Sequence, residues 1–169
     1  MSSQLGIFLL AAILVGCAST SRELPRASSG APAIVIRQYP DYPIPGRGSE
    51  FPGGLIAALW RDGCIIRPAT PDAVGKSYVE GVVRSSDRDA FFTFLSSSSA
   101  VRTPEGGGIP IHAATQSITI HQEAKASKWT RVLPDTQSAW REVESRLLSL
   151  PIKDSRAVDW SVVRRSTWY

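Results

Sequence analysis

The side chains best suited to chemistry are two thiols, Cys17 and Cys64, and two imidazoles, His112 and His121. A reactive cysteine needs its thiolate, which an electropositive, partly exposed setting favours and an apolar one disfavours. Cys64 is followed by Ile65 and Ile66, so it reads as a buried, inert strand residue. His121 and Glu123 would share one strand face, a spacing that can present metal ligands, but a third ligand at suitable spacing is missing. Serine is abundant, yet no Gly-x-Ser-x-Gly occurs to make one a nucleophile. Gly106-Gly107-Gly108 lacks the preceding strand and the following Lys-Ser/Thr of a phosphate loop. Asp62, Asp72 and Glu80 sit in or near expected turns and read as turn or solvent residues. The sequence therefore assigns no catalytic, metal or cofactor residue, and the chain reads as a non-enzyme.

Cys17 has a different setting. Residues 5–15 form an apolar run of roughly eleven residues interrupted only by Gly6. A spanning helix needs about 20 apolar residues, whereas a signal-peptide core needs about 7–15. Leu14-Val15-Gly16-Cys17 closes that run. It resembles the lipobox of bacterial lipoproteins. The resemblance implies cleavage between Gly16 and Cys17, a diacylglyceryl group on the Cys17 thiol, and acylation (palmitate) of the freed amine. Two chains anchor a protein stably where one does not. Met1-Ser2-Ser3-Gln4 departs from the family pattern, because it carries no Lys or Arg. Ala18 is not Asp, which in a two-membrane bacterium implies the outer membrane, facing the periplasm. With Cys17 lipidated, Cys64 is left alone and no intramolecular disulfide is expected.

The chain has 169 residues and a formal charge of +4, and none of residues 1–17 is charged. The basic excess belongs to the mature part and is compatible with anionic surfaces such as phospholipid or cell-wall polymer. The cations are scattered, which argues against nucleic acid as a partner. The organisation expected is a signal peptide over 1–16, a lipidated cysteine and polar tether over 17–32, and one domain over 33–169. As a coil the tether would span roughly 20 Å.

Within that domain, Ala33-Ile34-Val35-Ile36-Arg37-Gln38-Tyr39 reads as a first strand. Residues 40–54 are dense in Pro and Gly and read as a long surface loop. Asp62-Gly63 between two apolar runs predicts a hairpin with a type I′ turn. Tyr78-Val79-Glu80-Gly81-Val82-Val83 predicts another strand, with Gly81 marking a bulge. Ser86 as N-cap opens a short helix over 87–95. Residues 115–122 and 128–133 predict a second hairpin. Trp140, Val143, Leu147 and Leu150 recur at helical spacing up to Pro151. Residues 157–169 add an edge strand or lie across the sheet. The expected class is α+β: an antiparallel sheet of about five to six strands with two helices packed on it.

Trp60 and Trp140 fit core faces. The aromatic and basic side chains left over mark the candidate interaction surface: Tyr42, Phe51, Trp129, Arg164, Arg165 and Trp168. The favoured reading is a membrane-anchored envelope lipoprotein acting as an interaction or structural module. Its partners would be the membrane through Cys17 and an envelope protein or cell-wall polymer. The order hairpin, helix, hairpin, helix also loosely resembles the emfourin-type inhibitors of bacterial metallopeptidases, which leaves a peptidase inhibitor as the alternative. An unrecognised hydrolase is the remaining one.

Overall fold

A computed structural model of the chain describes residues 30–39, 53–101, 114–122, 125–133 and 138–169. The signal peptide, most of the tether, Tyr42, Phe51, His112 and Glu123 lie outside them. Seven strands form one antiparallel sheet in the order β6-β5-β1-β2-β3-β4-β7. The strands are β1 (Ile34–Tyr39), β2 (Gly54–Leu59), β3 (Cys64–Pro68), β4 (Ser77–Val83), β5 (Thr115–Gln122), β6 (Lys125–Val132) and β7 (Ile152–Asp159). The α-helices are α1 (Ser85–Ser97), between β4 and β5, α2 (Ser138–Ser149), between β6 and β7, and α3 (Trp160–Arg164), after β7.

The topology explains where the helices lie. Strands β1 to β4 are sequential neighbours, so the chain at β4 stands at one side of the sheet. The segment carrying α1 must return across the sheet to reach β5 beside β1, and the segment carrying α2 must cross it again from β6 to β7. Both helices pack on one face, against Ile34, Ile36, Ile56, Leu59, Ile65, Ile118 and Ile120. Their contributions are Phe91 and Leu95 from α1, and Trp140, Val143, Leu147 and the following Leu150 from α2. The helical spacing read from the sequence is therefore the spacing that is buried.

The sheet has one or two more strands than expected, and there is a third helix. Strand β7 was foreseen only from residue 157 onward, because its exposed Lys153, Asp154 and Ser155 and single buried Val158 give no alternation to read. The chain's last segment does both of the things foreseen for it. It completes an edge strand paired with β4, then turns through α3 and lies across the second face.

Two local details differ in kind. The hairpin at Asp62-Gly63 is not a type I′ turn. Only Gly63 has positive φ (+97°), the Gly63 N–H donates to the Trp60 carbonyl, and the Trp60 N–H donates to Cys64. This is a three-residue loop with Gly in the left-handed position. A Cβ at Gly63 would also stand 2.8 Å from the Val83 carbonyl oxygen. Helix α1 starts at Ser85 with Arg84 at the N-cap and no side-chain cap, so Ser86 lies inside the helix. The irregularity foreseen at Gly81 is present. The register with β7 slips between Glu80 and Val82, and the additional residue is on β7, where Asp154 adopts φ +51°. The slip brings Ile152 so close that a Cβ on Gly81 would lie 1.9 Å from its Cγ2.

Candidate functional site

The second face gathers the polar and aromatic groups whose roles the sequence left open. Along β3, β4 and β7 the side chains of Cys64, Ile66, Tyr78, Glu80, Arg156 and Val158 share it, as the strand registers require. Glu80 is the main correction. It is not a turn or solvent residue but is buried at 3 % exposure, because β4 is an interior strand of the sheet. Its Oε2 accepts from Arg156 Nε at 2.6 Å, and its Oε1 accepts from Cys64 Sγ at 3.6 Å. A buried carboxylate without such partners would be strongly destabilising.

Around this pair lies a cleft of about 570 Å³ lined by Asp62, Cys64, Glu80, Gly81, Val82, Asp154 and Arg156. Asp62 accepts from the Cys64 N–H at 3.0 Å, which fixes the hairpin turn as well. Burial pushes the Cys64 thiol up to about 12, with the negative charges of Glu80 and Asp62 adding to the effect and Arg156 opposing it. A thiol held protonated in this way is a hydrogen-bond donor and not a nucleophile at neutral pH. Within the cleft, Glu80 is already engaged by Cys64 and Arg156, and Asp62 by the Cys64 N–H.

Beside the cleft stands an aromatic cluster. Trp160 stacks on Tyr78 at 5.4 Å, Tyr169 meets Trp160 edge-on at 5.2 Å, and Trp168 meets Trp60 edge-on at 4.9 Å. Tyr78 Oη donates to the Leu55 carbonyl and accepts from the Gly75 N–H. Arg37 on β1 donates to the Trp168 carbonyl and places its guanidinium 5.2 Å from the Tyr169 ring. Burial raises the Tyr169 phenol above its ordinary value, with Arg37 pulling the other way. The Trp60 indole donates to the Gly30 carbonyl at 3.2 Å, which holds Gly30 to this face.

The candidate interaction residues do not form one surface. Arg164 and Arg165 are exposed at the end of α3, and Trp168 is half-buried on the same face. Trp129 packs against the helical face instead. It lines a cleft of about 330 Å³ with Phe92, Leu95 and His121. Its neighbour Arg131 is buried, bonded to Gln116 and Glu144 and 4.8 Å from the Trp140 ring. The signal for its burial is its position, two residues from Trp129 on the face that β6 turns to α2.

No group of three or more metal-binding side chains occurs among the described residues, and no helix among them is long and apolar enough to cross a membrane. Comparison with known proteins finds no family model, no curated protein and no solved structure that matches this chain.

Proposed function

We propose that the chain is a membrane-anchored envelope lipoprotein whose folded part is a non-enzymatic interaction or structural module. The observation that carries this reading is Leu14-Val15-Gly16-Cys17 at the close of an apolar run of signal-peptide length. Two features of the fold support it. The chain is fixed to the second face at Gly30 by the Trp60 indole, leaving a short polar segment between that point and Cys17. The same face carries Arg164 and Arg165, exposed cations suited to anionic headgroups near the point of attachment. The non-enzymatic part rests on Cys64 and Glu80, the most chemically capable pair, in which Glu80 accepts from both the Cys64 thiol and Arg156.

The test is metabolic labelling with a palmitate analogue in a bacterial host. Wild-type chain takes label and sediments with membranes, whereas Cys17→Ser takes none. A wild type that carries no label overturns the reading.

A further inference from the structure

The two edges of the sheet are unlike. Edge β7 is bulged, with Asp154 at positive φ, a register slip, and Lys153, Asp154 and Ser155 exposed along it. Bulges and charges of this kind are how sheet edges avoid further pairing. Edge β6 is regular: eight residues pair with β5 without a slip, from Thr115↔Val132 to Gln122↔Lys125, and no Pro or Gly interrupts it. Among the described residues β6 has β5 as its one neighbour in the sheet.

The hydrogen-bond parity of β6 follows from two contacts. The Leu133 N–H donates to the Ala114 carbonyl, and the His121 N–H donates to the Ala33 carbonyl. Alternation along an antiparallel ladder then turns the backbone groups of Ser127, Trp129 and Arg131 toward β5. Those of Ala126, Lys128, Thr130 and Val132 point outward from the sheet.

We propose that this edge pairs with β6 of a second copy, forming a two-fold dimer with one continuous sheet. A two-fold axis perpendicular to the sheet makes the strands antiparallel and keeps each face in line with its counterpart. Only registers that match faces are allowed, and centring the axis on Trp129 overlaps nearly the whole strand. In that register Lys128 stands opposite Thr130, Arg131 opposite Ser127, Ala126 opposite Val132, and Trp129 opposite its own copy. Every outward backbone group from Ala126 to Val132 then finds a partner. No like charges oppose each other, whereas centring on Lys128 would set two lysines face to face. Lys128, the lysine in the middle of this edge, is drawn inward, with its Nζ 5.7 Å from the Tyr39 ring. The assembly closes at two copies, because the outer edges of the joined sheet are both the bulged β7.

The symmetry also suits an anchored protein. This part of the argument rests on the lipoprotein reading. The Gly30 attachment points of both copies lie on the same face of the joined sheet, so both tethers run toward one membrane.

The test is the mass of the full-length chain by light scattering, in detergent, at micromolar concentration. The wild type runs at twice the chain mass. Thr130→Pro removes an outward N–H without touching the β5 ladder, and it runs as a monomer. Thr130→Lys, which would face Lys128 of the other copy, weakens self-association by about tenfold or more. Near-ultraviolet circular dichroism of each variant matches the wild type, separating loss of pairing from loss of fold. Cys17→Ser still dimerises, so a failed anchor and a failed dimer are told apart. A monomeric wild type, an open series of larger species, or a Thr130→Lys variant that dimerises as the wild type does overturns the proposal.

Discussion

The two faces of the sheet are covered by different means. On one, α1 and α2 lay regular apolar stripes over the isoleucines of β1, β2, β3 and β5. On the other, a five-residue helix and the chain's last residues do the covering, mostly with aromatic rings. The first face is a conventional apolar core. It admits one buried polar network, in which Gln116 Nε2 donates to Glu144 and Arg131 lies between Gln116, Glu144 and Trp140. The second mixes rings with the Cys64–Glu80–Arg156 group and Arg37, and it holds Gly30. The difference suggests a division of labour: one face fixes the fold, and the other holds Gly30 and the segment 160–169 to the sheet.

Substitutions on the two faces should separate these roles. The largest effect is expected on the first face. Trp140→Ala removes a 2 % exposed ring that also lies against Arg131, and should cost about 3–5 kcal/mol in urea unfolding. A loss below about 1 kcal/mol would mean that α2 does not hold the core.

The next effect depends on pH. Folded Cys64 titrates near 12 against an ordinary value of 9.0, so the folded state holds that proton more tightly. Its contribution is complete below about pH 9 and is lost as pH rises toward 12, at up to about 1.4 kcal/mol per pH unit. Cys64→Ala should flatten that alkaline slope relative to the wild type, and iodoacetamide at pH 8 should label Cys64 only after unfolding. Rapid labelling of the folded chain would show the second face to be open.

The smallest effect is expected at Trp168, half-buried against Trp60. Trp168→Ala should cost about 1–2 kcal/mol, well below Trp140→Ala. Equal losses at the two positions would remove the distinction between the faces.

The first face was also the legible one. Trp140, Val143, Leu147 and Leu150 announce themselves by a helical period, and Ile118 and Ile120 by a strand period. The second face gave no such signal. Strand β7 is mostly exposed, α3 is too short to show a period, and Trp160, Trp168 and Tyr169 pack through ring geometry that spacing does not encode. Glu80 was misread for a related reason. A single acidic residue near a glycine looks like a turn, and only the pairing of β4 with both β3 and a distant β7 encloses it. The cleft around it joins residues as far apart as Asp62 and Arg156, so no local pattern could have marked it.

The membrane role proposed for this chain depends on Cys17, which alone would carry the lipid. The most direct measurement is the mass of the N-terminal peptide of the protein extracted from bacterial membranes. The expected chain begins at Cys17 and carries a diacylglyceryl thioether, with or without an amide-linked acyl chain. An N-terminus at Cys17 without lipid, or a chain that retains residues 1–16, would contradict it.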